Sequence, residues 1–384
     1  MVSGALFSDL NGDGYPDLVM ACEWGPIRVF VNNRAEFREA TEELGLASYL
    51  GWWNGVTTAD VDGDGRLDIV ASNWGHNSKY EAHSKQPQRI YYGDLAGDGT
   101  VQIVEAYFDG AMGKIVPWQT LDRMGASLPI VWQRFGSFRE YGAAGVAEIL
   151  GERMKIAKEA RANWFDSTVF LNRNNHFEAK PLPREAQLSP AFAVCVADMD
   201  GDGNEDLFLS QNFFATDART GRYDGGRGLW LRGDGKAGFT AVQANESGVR
   251  IYGEQRGAAV CDYDGDGRVD LVVTQNGAET KLYRNVGARP GLRVRLRGPP
   301  GNPTGIGATL RLASAGIMGP AREVHAGSGY WSQDSAVHVL TMREPPTQLR
   351  VRWPGGKTLT TAIPKGAREI QVDTEGTVKV LKSE

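Results

Sequence analysis

Four nine-residue stretches of this chain combine residue types and spacings that could hold a hard cation. They are Asp9-Leu-Asn11-Gly-Asp13-Gly14-Tyr-Pro-Asp17, Asp60-Val-Asp62-Gly-Asp64-Gly65-Arg-Leu-Asp68, Asp198-Met-Asp200-Gly-Asp202-Gly203-Asn-Glu-Asp206 and Asp262-Tyr-Asp264-Gly-Asp266-Gly267-Arg-Val-Asp270. A weaker fifth copy keeps Asp94 and Asp98 but has Ala96 and Gln102 where the others have oxygen ligands. Oxygen side chains at positions 1, 3 and 5, with Gly at 6 for the sharp turn, suit Ca2+. The sixteen residues at positions 1, 3, 5 and 9 of the four good copies are therefore the candidate ligands. Carboxylates this crowded repel one another without a cation. The bland alternative is an Asp/Gly-rich turn that holds no metal.

The loops depart from an EF-hand, which needs a bidentate Glu at position 12. Met20, Ala71, Leu209 and Val273 stand there instead. A strand-like run precedes each loop and another follows it, as in Ile69-Val-Ala-Ser72 and Leu271-Val-Val-Thr274. Each copy thus reads as a β-hairpin with a metal-holding turn. Second hairpins follow in several repeats (Ile27 to Phe37, Thr168 to Phe177, Leu229 to Phe239), making four-stranded antiparallel units. Such units in tandem predict an all-β propeller.

Bulk properties agree with this. The 49 Gly in 384 residues suit a turn-rich β chain, and no apolar run is long enough to span a membrane. The formal charge of −5 sits largely in the Asp loops. Cys22, Cys195 and Cys261 are an odd set, and the last two, in strands before metal loops, read as core residues. Micromolar calcium loops need the calcium of a space outside the cytoplasm, so the expected location is secreted or cell envelope. Met1 falls directly before strand residues with no leader, and the expectation is a chain that begins inside a longer parent, its propeller truncated at the N-terminus.

Asp60 and Asp94 are only 34 residues apart. Either the Asp94 copy is the second hairpin of the blade begun at Asp60, or that blade has lost strands. Long insertions begin about six residues past the metal loops, at 73–88, 108–166 and 211–228, so they leave from the end of the strands opposite the Asp turns. Within the largest, Tyr141 to Ala162 has helical spacing. Aromatic and polar residues gather at this far end: Trp24, Trp52, Trp53, Asn54, Trp74, His76, Arg89, Tyr107, Asn212, Tyr223, Asp224, Arg256 and Asn276. Aromatic faces beside amides and charges can hold sugar rings, so these residues form a candidate ligand face. The bland reading is loop packing and strand capping.

The hairpin repeats resemble FG-GAP/VCBS propeller blades, the type found in integrin α-subunits. Past Asn285 the metal pattern stops. Gly305-Ile-Gly-Ala-Thr-Leu-Arg-Leu312, Arg322-Glu-Val-His-Ala-Gly-Ser-Gly-Tyr-Trp-Ser-Gln333 and Leu349-Arg-Val-Arg-Trp-Pro-Gly-Gly356 resemble the ASPIC/UnbV domain. That domain follows such propellers in bacterial relatives of cartilage acidic protein. One departure is Leu340-Thr-Met-Arg-Glu-Pro-Pro346, where the family usually has a Gly-containing turn. The resemblance implies propeller blades over 1–288, with insertion 108–166, and a small β domain over 289–376. That second domain is basic, with twelve Lys or Arg against five Asp or Glu over 289–373. No groove-fitting element or stacking platform for nucleic acid is visible. The alternating Arg of Leu292 to Arg297 reads as one solvated strand face, and the domain's basic excess as such a face or a contact with an acidic partner or glycan.

Catalytic motifs are absent. Gly327-Ser328-Gly329 lacks nucleophile-elbow spacing, and His76, His83, His176, His325 and His338 form no zinc pair. The sequence therefore predicts an extracellular calcium-binding module that recognises a glycan or a protein. The alternative is a carbohydrate-active enzyme, hydrolase or lyase, using Glu23, Asp109 or Asp224, or His76 or Arg89.

Overall fold

A computed structural model describes residues 1–34 and 36–383. The chain is mostly β. The first sheet is β1 (Val2–Ser8), β2 (Asp17–Gly25), β3 (Arg28–Asn33) and β4 (Glu36–Glu39), with the short β5 (Gly51–Trp52) pairing on β2. β6 (Val56–Ala59) and β7 (Asp68–Ala71) open the next sheet. The chain then leaves to build a separate sheet from β8 (Gln88–Gly93), β9 (Gln102–Asp109), β10 (Lys114–Pro117) and β11 (Lys158–Ala162). It returns as β12 (Thr168–Asn172) and β13 (Phe177–Pro181), and β12 pairs directly with β7. β14 (Ala191–Ala197), β15 (Asp206–Gln211), β16 (Leu229–Gly233) and β17 (Phe239–Val242) form a four-stranded sheet. β18 (Glu254–Cys261), β19 (Asp270–Asn276) and β20 (Ala278–Tyr283) form a three-stranded one.

The register explains why the Asp turns recur. In every loop hairpin the last pair joins the residue before position 1 to position 9: Ser8 to Asp17, Ala59 to Asp68, Ala197 to Asp206 and Cys261 to Asp270. The position-6 glycines sit at φ of +86 to +94° (Gly14, Gly65, Gly203, Gly267), a conformation open to few other residues. Neighbouring sheets share apolar clusters. Val19, Val29, Ile69 and Phe170 join the first two, Val70, Leu171, Val194 and Leu209 the next pair, and Cys195, Phe208, Val260 and Val273 the last. Cys195 is thus a core residue, as its strand position predicted.

Neither expectation for the Asp94 repeat holds. It turns the β8–β9 hairpin of the separate sheet, because the non-local β7–β12 pairing completes the sheet begun at Asp60. The helical segment also differs. Four short helices, α1 (Leu121–Ser127), α2 (Ile130–Arg134), α3 (Phe138–Gly142) and α4 (Val146–Leu150), pack Met124, Ile149 and Leu150 against Tyr91 and Val104. Lys158–Ala162, expected to be helical, pairs with β8 instead, where ladder bonds outweigh its helix propensity.

After Asn285 two further sheets enclose one core of Val294, Leu310, Leu349, Val351 and Ile370. Their strands are β21 (Leu292–Arg297), β22 (Thr309–Ser314), β23 (Ile317–Met318), β24 (Arg322–Glu323), β25 (Val337–Leu340), β26 (Gln348–Arg352), β27 (Thr358–Ala362), β28 (Ala367–Asp373) and β29 (Val378–Ser383). Between β24 and β25 a finger, residues 324–336, leaves this domain and runs among β1, β6, β14 and β18. Gly329 exchanges two backbone hydrogen bonds with Val56, at 3.0 and 3.1 Å. His325 Nε2 lies 2.9 Å from Thr58 Oγ1, and Asp334 Oδ1 accepts from Val260 N–H at 2.8 Å. A cavity of about 50 Å3 remains beside the finger's base, lined by Arg322, His325, Asp334 and His338. It has room for one or two waters. Burial pushes the His338 imidazole down to about 3, so the ring is neutral there.

Candidate functional site

The three full loops bring positions 1, 3 and 9 together. Asp60, Asp62 and Asp68, then Asp198, Asp200 and Asp206, then Asp262, Asp264 and Asp270, each offer ligand oxygens within 4.8 Å of one another. These clusters could hold a metal ion. Position 9 does more than the sequence implied. Its Oδ2 accepts the N–H of position 2 (Leu10, Val61, Met199, Tyr263), and its Oδ1 accepts an N–H from the third strand side (Asn32, Asn172, Gly233, Asn285). Each such Asp therefore ties three strands together. Position 5 turns back on its own loop, where Asp13, Asp64, Asp202 and Asp266 each accept the N–H two residues on. In the Asn11 loop, Asn11 Nδ2 donates to Asp13. In the weak copy, Asp94 accepts from Gly97, Asp98 and Gly99, and Asp98 accepts from Thr100; it is an exposed Asx turn.

Burial raises the loop carboxylates. Asp60 is pushed up to about 6, Asp17, Asp68 and Asp198 to about 7, and Asp206 to about 8, with neighbouring carboxylates adding to the effect. Asp9 and Asp270 move the same way for the same first reason. One oxygen of the Asp60 loop stands apart. Asp60 is 1% exposed, and its Oδ1 has no hydrogen-bond partner. An unpartnered carboxylate oxygen in a buried, all-oxygen donor set fits a hard cation.

Sequence reasoning missed the side chains that link one loop to the next. Asn172 Nδ2 donates to Leu10 O and Leu67 O, and Asn285 Nδ2 donates to Met199 O and Val269 O. The signal was present, since an Asn closes each of Val31-Asn-Asn33, Leu171-Asn172 and Arg284-Asn285.

At the far end the candidate face resolves into two parts. Trp53, Asn54, Trp74 and Asn212 are buried, so these four line no surface. Trp52 stacks on Trp74 with ring centroids 4.1 Å apart, and Trp24, Tyr80 and Tyr223 close around them as an apolar cluster. Asn54 donates to Ala191 O, and Asn212 donates to Gly226 O and Gly253 O, so both amides cap strand ends. For these residues the packing interpretation prevails. His76 is held between Asp166 and Glu81, which raise it to about 9; Arg89 pairs with Glu159. The Tyr107 ring lies tilted against His83, with centroids 3.9 Å apart, and Asp224 is exposed. Asp109 caps the turn after β9 through Ala111 and Met112 N–H.

Arg256 and Asn276 belong to the second part. Arg256 lies 3.9 Å over the Phe192 ring and pairs with Glu254, which also accepts from Asn276. Both border a cleft of about 420 Å3 with Thr274, Tyr330, Trp331 and Ser332. The two aromatics come from the finger of the C-terminal domain and were absent from the predicted face.

Comparison with known proteins gives two matches to family descriptions. Residues 9–71 match "FG-GAP-like repeat", and residues 298–379 match "ASPIC and UnbV". No curated protein matches the chain. Among solved structures, the V. cholerae biofilm matrix protein Bap1 aligns with 99% of this chain at 10% identity and a TM-score of 0.18. The chain spans 61% of that protein's length, and so low a score carries no argument about fold or function. Among the described residues no helix is long and apolar enough to cross a membrane. With loops and register already defined, the two matched segments identify the chain as a mostly β protein that carries an FG-GAP-like repeat and a C-terminal ASPIC/UnbV domain.

Proposed function

We propose that the chain is an extracellular, calcium-stapled β-propeller module that binds a glycan in the cleft beside Trp331. On this reading residues 1–288 are propeller blades, with their largest insertion at the end away from the loops, and 289–376 are the ASPIC/UnbV domain. Support for the blades comes from hairpin-built sheets packed face to face, their first strands gathered around one finger. Support for calcium comes from the buried, all-oxygen clusters and the bare Asp60 Oδ1. A need for calcium suits a secreted or envelope-exposed protein.

The observation that carries the binding role is Trp331. It is 84% exposed, has φ +50°, and sits on a loop pinned by Gly329 to β6 and by Ser332 Oγ to Ser328 O. A bulky residue in the left-handed region costs of order 1 kcal/mol or more, and exposure returns nothing to the fold. Its ring runs parallel to Tyr330, within 3°, beside Asn276 and Thr274. An apolar ring face flanked by amide and hydroxyl groups suits a sugar. On a glycan array in calcium, Trp331→Ala should lose binding roughly tenfold or more with little change in Tm. Equal binding by the variant, or a protein ligand and no glycan, would sink the assignment.

The raised carboxylates give calcium uptake a pH dependence. Without metal, the folded state holds protons at Asp17, Asp60, Asp68, Asp198 and Asp206 that the unfolded chain has released. The stability this adds is complete below about pH 4, the unfolded value, and is lost as pH rises through 6 to 8. Calcium needs the same groups ionised, so its binding must release protons and weaken as pH falls below about 7. Calorimetric titrations at pH 5.5 and 7.5, in buffers of different ionisation heat, should show the affinity loss and the proton release.

A further inference from the structure

The position-1 aspartates share a pattern that crosses the domain boundary. In all four good loops the same oxygen, Oδ2, accepts the N–H of the position-6 glycine: Gly14, Gly65, Gly203 and Gly267, at 2.7 to 2.9 Å. In all four the same oxygen takes one more donor, always from the C-terminal domain. Arg352 reaches Asp9 at 2.8 Å, and the Ala321 N–H reaches Asp60 at 2.8 Å. The Thr341 hydroxyl donates to Asp198, and Arg293 donates to Asp262. The donors differ in chemistry and come from four places in the C-terminal fold: β21, the start of β24, the end of β25 and the end of β26. Convergence of unlike groups on one atom type, four times, is not the pattern of a general charge attraction. Two of this domain's arginines, Arg293 and Arg352, find acidic partners in these loops.

The other oxygen is left to the loop. Asp60 Oδ1 is buried without any partner, and Oδ1 of Asp9, Asp198 and Asp262 meets only N–H groups of its own loop. We propose that the C-terminal domain is an outer shell of positioning donors for all four Asp loops, so that cation uptake and domain docking reinforce each other. This rests on the calcium reading above. A donor fixed on Oδ2 sets the plane of the carboxylate and aims Oδ1 at the cation. Outer-shell donors of this kind commonly change metal affinity 10- to 100-fold when removed. By reciprocity the cation must hold the domain as firmly as the domain helps hold the cation.

The test uses the whole chain and calcium alone. Calorimetric titration of Thr341→Val should show one site weakened roughly tenfold or more. Thr347→Val is the control, because its hydroxyl meets only Ala313 O and touches no loop. A second arm needs no variant: in the native protein, calcium should slow amide hydrogen exchange over 337–342, around Thr341. Both results are required. A Thr341→Val titration matching the native one, or exchange over 337–342 indifferent to calcium, overturns the coupling and leaves the calcium sites standing. A native chain that takes up no calcium overturns the calcium reading and the coupling with it.

Discussion

Excess chelator lowers the Tm of this protein by about 10 °C or more. A ligand that binds only the folded state at one hundred times its Kd adds about 2.7 kcal/mol. Three clusters, at Asp60, Asp198 and Asp262, would together add about 8 kcal/mol. In large domains each kcal/mol moves Tm by about 2 °C, with the shift shrinking as size grows. The loops are also spread across the molecule. They close the hairpins β1–β2, β6–β7, β14–β15 and β18–β19, so their loss loosens four sheets at once. Differential scanning calorimetry with calcium and with chelator reads the effect directly, and a superimposable pair of scans refutes it.

Arg322→Met destabilises the chain by about 3–5 kcal/mol, the usual cost of removing one partner from a buried ion pair. Arg322 grips Glu205 with two nitrogens, Nε to Oε1 at 3.1 Å and Nη2 to Oε2. The Glu205 side chain is 2% exposed and lies one residue before Asp206, inside the Asp198 loop. Without the guanidinium the Glu205 carboxylate is left buried without its partner, beside the four aspartates of the loop. The double variant Arg322→Met, Glu205→Gln should recover much of the loss, since it removes the stranded charge as well. Denaturant midpoints of the two variants and the native chain separate these outcomes. A native-like midpoint for the single variant would mean that the pair holds nothing.

The Asp hairpins were legible because their information is local. Nine residues fix the turn, the glycine conformations and the flanking pairing, and all four good copies behave alike. Sheet membership was not legible at Asp94. Its loop is a true hairpin of the same shape, but β7 pairs with β12 across ninety-odd intervening residues, and no short pattern encodes a partner that far away. The far-end aromatics do not all face outward: Trp53 and Trp74 are core, while Trp331, which the sequence did not single out, is exposed. Types and spacing place a ring at an end of a strand; they do not say whether another ring already covers it. The alternating arginines left a solvated face and an acidic contact both open, for a related reason. Arg293 looked like one of a solvated row, yet it is buried between Asp262 and Glu369. A strand facing another domain of the same chain has the same period as one facing water.

The finger of residues 324–336 has a consequence for how the chain is made. Thr57 meets Ser328 of the finger across 271 residues, and Asp9 meets Glu323, just before it, across 314. During synthesis from the N-terminus the first sheets emerge and can close their hairpins promptly, because each hairpin is local. The strands that line the finger must wait for residues 324–336 before they are filled. Such distant contacts form late and slow the final step of folding. Until then the nascent protein exposes β1, β6, β14 and β18 along their inner edges, a surface suited to unwanted strand pairing with other chains. The part of the molecule that completes the assembly is therefore also the part that ends its vulnerability.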